Sequence, residues 1–172
     1  MTKSTGCSIW LMPTGRICEQ LRMTILQLSS QYATPRFPPH VTLIGRLTGD
    51  ERELASRAEQ LASRIRPFEI TLTGIDHLDE YFRCLFMRVE ESRALLEANQ
   101  AARVIFNLER DPEFIPHLSL IYGSLDLDAK RQTIRLIGAE ANSTFQVDSL
   151  HLYSTAGEPE GWYRIQEFEM HS

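Results

Sequence analysis

At 172 residues, with 42% hydrophobic and 24% charged positions, the chain has the length and composition of one globular domain with a full core. Its net charge of −5, from 18 basic residues scattered among 23 acidic ones, argues against binding a long nucleic acid, which needs clustered Lys and Arg. No stretch approaches the length of a membrane span and the N-terminus lacks a signal-like apolar run, so a monomer of the cytoplasm or nucleus with no membrane partner is expected.

In chain order, Ser8–Met12 reads as a strand stopped by Pro13. Ile17, Leu21, Ile25, Leu28 and Tyr32 then recur at helical spacing. Pro35, Pro38 and Pro39 form a rigid approach to a second strand, His40–Leu47. Leu54, Ala58, Leu61 and Ile65 mark a helix that Pro67 ends. Phe68–Ile75 and Phe82–Val89 read as a strand pair around an acidic loop, Asp76–Tyr81. Leu95, Ala98, Ala102 and Ile105 give the next helix. A strand over 117–122, a weaker helix near 128–138 and strands near 145–154 and 163–170 complete the chain.

This order contains a repeat. Pro39-His40-Val41-Thr42-Leu43-Ile44 matches Pro116-His117-Leu118-Ser119-Leu120-Ile121 at an offset of 77 residues. The same offset relates Phe68-Glu69-Ile70 to Phe145-Gln146-Val147, and Trp10 to Met87. Two copies with one order of elements predict an α+β fold: a single duplicated domain over 1–172, made of two lobes. Two antiparallel sheets with flanking helices, related by a pseudo-twofold, would face a central cleft.

Strand alternation puts His40, Thr42 and Ile44 on one side and Val41 and Leu43 on the other, with His117 and Ser119 arranged likewise. A single His-x-Thr in a strand is unremarkable. Two copies at a shared offset bring two imidazoles and two hydroxyls to one cleft. That set suits a phosphodiester: one neutral histidine accepts a proton from water, a protonated one donates to the leaving oxygen, and the hydroxyls grip the non-bridging oxygens. Neither a metal nor a cofactor is required. The acidic residues near His77 (Asp76, Asp79 and Glu80) read as a solvated hairpin loop rather than as metal ligands. A Ser119 nucleophile is disfavoured, because nothing like an oxyanion loop follows it. His151 and His171 have no motif context. The cysteines Cys7, Cys18 and Cys84 lack CxxC spacing and read as reduced thiols.

The two motifs, with Trp10-Leu11-Met12-Pro13 and Tyr122-Gly123, resemble those of the two-histidine phosphoesterase superfamily, in particular its cyclic phosphodiesterase branch of plants and fungi. The resemblance spans nearly the whole chain. It implies a bilobal α+β fold and metal-independent hydrolysis of 2′,3′-cyclic nucleotides to 2′-phosphates. ADP-ribose 1″,2″-cyclic phosphate, a by-product of tRNA splicing, is the other substrate implied. Carried over to this sequence, His40 and His117 are catalytic, and Thr42, Ser119, Tyr122 and Trp10 are substrate-binding. Trp10 is read as either a base-stacking ring or a core residue. Strand parity points Tyr122 away from His117, whereas the resemblance puts the matching tyrosine near the reacting water; a bulge or strand end at Gly123 would turn it inward. Gly45 stands at the matching offset in the first motif. That asymmetry, with the resemblance, assigns His117 as base toward water and His40 as acid toward the leaving oxygen.

Two other functions fit the sequence less well. A 2′–5′ RNA or oligoadenylate phosphodiesterase or ligase would need room and positive charge for a longer strand. A silent nucleotide-binding module would be expected to lack one of the four motif side chains, and all four are present.

Overall fold

A computed structural model describes residues 6–138 and 142–171. Eight strands and four helices alternate along it: β1 (Cys7–Leu11), α1 (Gly15–Tyr32), β2 (Val41–Leu47), α2 (Glu51–Ala62), β3 (Phe68–His77) and β4 (Leu85–Val89) come first. Then follow α3 (Arg93–Ile105), β5 (His117–Ile121), α4 (Leu127–Ile137), β6 (Ser143–Val147), β7 (Ser149–Ser154) and β8 (Tyr163–Glu169). Local chemistry sets the helix starts. Asp50, Ser92 and Asp126 cap α2, α3 and α4 by accepting from first-turn amides. Against expectation, the segment near 145–154 is two strands, because the chain turns at Asp148 and passes from the edge strand of one half to a strand between β1 and β8 in the other.

The strands form one antiparallel order, β6-β3-β4-β5-β2-β1-β7-β8. The central β2–β5 contact is a single register pair, Val41 with Leu118, so the order divides into two four-stranded halves. These are the two sheets that the repeat predicts. Each half begins with a motif strand, β5 or β2, and then the strand preceding it in its own copy, β4 or β1. Helices cross over: α1, which follows β1, packs on β5, whereas α3, which follows β4, packs on β2. The core is continuous through both halves, with Ile9, Leu11, Val41, Leu43, Leu85 and Leu118 among its fully buried members.

Two parts of the repeat are corrected by this topology. Phe68 and Phe145 are not symmetry mates, since β3 and β6 are hydrogen-bonded neighbours, with Phe68 opposite Val147 and Ile70 opposite Phe145. Strand order makes β7, next to β1, the mate of β3, next to β4. Met87 is also not the mate of Trp10. Trp10 lies opposite Thr42, and the residue opposite Ser119 is Phe86. The offset on these strands is therefore 76, one short of the motif offset.

Candidate active site

His40 and His117 line one cavity of about 460 Å³ between the halves, as do Thr42, Ser119, Tyr122 and Trp10. The sequence-derived set is thus brought together in full. Both imidazoles are held the same way. His40 Nδ1 donates to the Pro38 carbonyl at 2.7 Å, and His117 Nδ1 donates to the Ile115 carbonyl at 2.8 Å, in each case two residues upstream. A carbonyl only accepts, so Nδ1 carries the hydrogen and Nε2 is left as the open nitrogen on each ring. The prolines explain the recurrence: they fix extended backbone just before each histidine, which places those carbonyls beside the ring.

The surroundings of the two rings differ. His40 is only 6% exposed and lies flat on Trp10, with centroids 3.5 Å apart and planes within 7°. Burial pushes its pKa down to about 3; the Pro38 hydrogen bond opposes this, and the nearby His117 adds to it. His117 is only partly buried and meets the edge of Phe86 at 5.5 Å. Its pKa is also lowered, first by burial and further by Arg83, against the Ile115 hydrogen bond and Glu80.

One extra residue in each motif strand shapes the rest. Leu43 is inserted between the pairs Ile9–Ile44 and Trp10–Thr42, and Leu120 between Leu85–Ile121 and Phe86–Ser119. These are β-bulges at equivalent positions, and each shifts strand parity by one beyond it. That resolves the position of Tyr122. The bulge at Leu120 returns Tyr122 to the side of Ser119, and β5 ends one residue before it. Tyr122 is buried and stacked on Phe37 at 3.7 Å; burial raises its pKa, and the Ser119 hydroxyl beside it pulls the other way.

The two hydroxyls are unlike. Ser119 Oγ donates to the Phe82 carbonyl at 2.8 Å, so its hydrogen is committed. Thr42 is partly exposed, and its hydroxyl makes no hydrogen bond to the described residues. Trp10 is 1% exposed and sandwiched between His40 and Tyr153, the latter at 3.9 Å. Both of its faces are covered, so it supports His40 and offers the cavity an edge rather than a face for a base.

Several residues that the sequence did not single out complete the cavity. Phe82 and Trp162 join Tyr122 at one end, with Trp162 lying 5.8 Å from Tyr122 and 6.2 Å from Phe82. Behind the first motif, the buried Asn99 of α3 donates to the carbonyl of the bulge residue Leu43 at 2.9 Å and accepts from Arg103 Nε at 2.9 Å. Arg103 donates in turn to the carbonyls of Asp111 and Pro112, which fixes the segment leading into His117. No pattern in the sequence marks Asn99 or Arg103, because both act through main-chain carbonyls, which every residue carries.

The acids around His77 are committed to cations. Asp76 pairs with Arg88, Glu80 with Arg83, and Asp79 with Lys130, whose ammonium is buried and also donates to the Leu78 carbonyl. Of the three cysteines, all free thiols, Cys7 and Cys84 are buried. Among the described residues no helix is long and apolar enough to cross a membrane.

Comparison with known proteins agrees with this fold. A cyclic phosphodiesterase from Arabidopsis thaliana is 26% identical over 126 residues, covering 72% of this chain and 68% of that protein. Among solved structures, LigT of Escherichia coli complexed with 3′-AMP superposes with a TM-score of 0.68 at 13% identity, over 99% of this chain and all of that one. TT0787 of Thermus thermophilus gives 0.65 at 16% identity, over 98% of both chains. At such identities these two structures speak to the fold alone. The model of the 2′–5′ RNA ligase superfamily matches residues 13–159, which includes both histidine motifs, and the chain therefore belongs to that superfamily of two-histidine phosphoesterases.

Proposed function

We propose that this phosphoesterase opens a cyclic phosphate on a ribose without a metal ion. The substrates are a 2′,3′-cyclic nucleotide, giving the 2′-phosphate, or ADP-ribose 1″,2″-cyclic phosphate, giving ADP-ribose 1″-phosphate. The observation that carries the reading is the matched pair of imidazoles, each with Nδ1 fixed to a carbonyl, lining one cavity. The name of the Arabidopsis relative, cyclic phosphodiesterase, supports the substrate class.

In the proposed reaction on a 2′,3′-cyclic nucleotide, His117 Nε2 takes a proton from water as its oxygen bonds to phosphorus. The bond from phosphorus to the 3′ oxygen breaks, and His40 gives its proton to that oxygen. Thr42, and Ser119 after turning its hydrogen from Phe82, hold the non-bridging oxygens, and Tyr122 orients the water. Burial by itself favours neutral His40. The anionic phosphate seated beside both rings favours the charged form, so the acid gains its proton together with the substrate.

The test is hydrolysis by pure protein in excess EDTA. The panel is 2′,3′-cyclic nucleotides, ADP-ribose 1″,2″-cyclic phosphate and 2′–5′ oligoadenylate, with products assigned by phosphorus NMR. Turnover of a cyclic phosphate to a 2′- or 1″-phosphate is expected. A 3′-phosphate product, or activity recovered only with a divalent metal, overturns the proposal. Cleavage of oligoadenylate alone would favour the ligase-like reading.

A further inference from the structure

Three arginines line the cavity, Arg46, Arg83 and Arg103, and they are not equivalent. Arg103 uses Nε and both terminal nitrogens on Asn99, Asp111 and Pro112, so it is structural. Arg83 is paired with Glu80 through Nε and Nη2. Arg46 makes one contact, Nη2 to Asp111 Oδ2 at 3.0 Å, and its side chain is 69% exposed. Its Nε and Nη1 have no partner among the described residues.

The backbone of Arg46 is also unusual. Its φ is +58°, and the equivalent position in the second motif is Gly123, also at positive φ. Here β2 carries a second register shift against β1, between the Cys7–Leu47 and Ile9–Ile44 pairs. A left-handed conformation is unfavourable for a bulky side chain, and an outlier of this kind is a reason to ask what the side chain does there. The bulge turns the arginine into the mouth of the cavity. It lies six residues from His40, at most about 20 Å along an extended strand before the bulges shorten the path. Its side chain lines the same cavity as both histidines, so one ligand lying along that cavity can meet the guanidinium and the imidazoles together.

We infer that Arg46 is a specificity-determining residue that recognises a second phosphate, on the 5′ side of a substrate whose cyclic phosphate sits at the histidines. This rests on the cyclic phosphodiesterase reading above. A guanidinium with two open donors on a planar fork suits a phosphate, and the single bond to Asp111 keeps it oriented over the cleft. Asp111, with Glu113 also on the cavity wall, sets the opposing charge, so the pair tunes selectivity rather than binding any anion strongly. The second phosphate can be a 5′-monophosphate or the diphosphate of an ADP-ribose, and the chemistry recognised is the same.

The test compares kcat/KM for adenosine 2′,3′-cyclic phosphate, its 5′-phosphorylated form, and ADP-ribose 1″,2″-cyclic phosphate. In R46Q the ratio of two-phosphate to one-phosphate substrate should fall about tenfold, roughly the worth of one charge-assisted hydrogen bond at a partly exposed site. In R46K the ratio should fall less, and in D111N it should rise. A response of both extended substrates means that a single 5′-phosphate suffices; a response of the ADP-ribose compound alone assigns the diphosphate. A ratio within twofold of wild type in both R46Q and D111N overturns the inference. Binding of adenosine 2′,5′-bisphosphate against adenosine 2′-phosphate by calorimetry, in wild type and R46Q, reads the same contact without turnover. If no substrate is hydrolysed yet the bisphosphate preference depends on Arg46, the reaction is wrong and the subsite stands; if that preference is absent, the subsite falls.

Discussion

Acid should attack this fold at His40. An unfolded histidine titrates near 6.5, and burial holds the folded ring down to about 3. Between those values the unfolded chain binds the proton and the folded one does not, so stability falls as pH is lowered through the window and is fully present above 6.5. At about pH 4.5, two units into the window, the cost from this group alone is about 3 kcal/mol, a large share of the roughly 5–15 kcal/mol that stabilises a domain. Urea unfolding at about pH 7 and about pH 4.5, for wild type and His40→Asn, isolates the contribution. Asparagine keeps a short polar side chain and cannot titrate, and the carboxylates common to both proteins cancel in the difference. Wild type should lose about 3 kcal/mol more than the variant over the interval. Parallel losses, within about 1 kcal/mol, would mean that His40 is solvated in the folded state and that its stack on Trp10 and its bond to Pro38 do not exclude water.

Three further outcomes are expected. His40→Ala and His117→Ala should each lose at least about 10²–10⁴ in kcat, and a substrate with an activated leaving group should partly rescue only His40→Ala; rescue of His117→Ala would reverse the two roles. The profile of kcat/KM against pH should be a bell reporting the free pair, rising above about 3 and falling at a pH below 6.5, because both pKa values are lowered; a descending limb at or above pH 7 would contradict this. Asn99→Ala should leave the buried Leu43 carbonyl unpaired, costing about 1–3 kcal/mol in stability. In steady-state kinetics its loss should fall on kcat more than KM, and Asn99→Asp, which keeps only the acceptor for Arg103, should not restore it; restoration would place the effect in Arg103 instead.

Much of the site is legible in the sequence because strand alternation and proline geometry act locally. Pro-His-x-hydroxyl fixes a ring, its carbonyl partner and a neighbouring oxygen within four residues, and the two copies need only meet. Tyr122 shows where local reasoning stops. Alternation alone turns it outward, and the bulge at Leu120 that turns it back is one extra residue with no mark in hydrophobic pattern. The same holds for the mate of Trp10, displaced from Met87 to Phe86, since bulges count residues on one strand and not on its neighbour. Phe68 and Phe145 look like mates because both are buried aromatics in stretches of alternating burial, and only the pairing of β3 with β6 separates likeness from equivalence. Asn99 and Arg103 are silent in sequence, as a side chain bonded to a main-chain carbonyl leaves no residue type to read at its partner.

A duplicated site supplies two imidazoles but no reason for them to differ, and the proposed reaction needs one to give a proton and the other to take it. The differences lie in what surrounds the motifs. His40 is sealed by a flat Trp10, whereas His117 meets only the edge of Phe86 and stays partly open, so water reaches the second ring more readily than the first. The Thr42 hydroxyl makes no hydrogen bond to the described residues, while Ser119 gives its hydrogen to Phe82 and stands beside Tyr122. Past the bulges, the first strand continues into Gly45 and Arg46 and the second into Tyr122 and Gly123, so the first leads to an exposed arginine paired with Asp111 and the second to a buried aromatic cluster. In the proposed reaction, a water held at the Tyr122 side and a nucleotide extending toward Arg46 would put the attacking and leaving oxygens on opposite sides of phosphorus. That in-line arrangement would convert two equivalent histidines into the base and the acid that the proposed reaction needs.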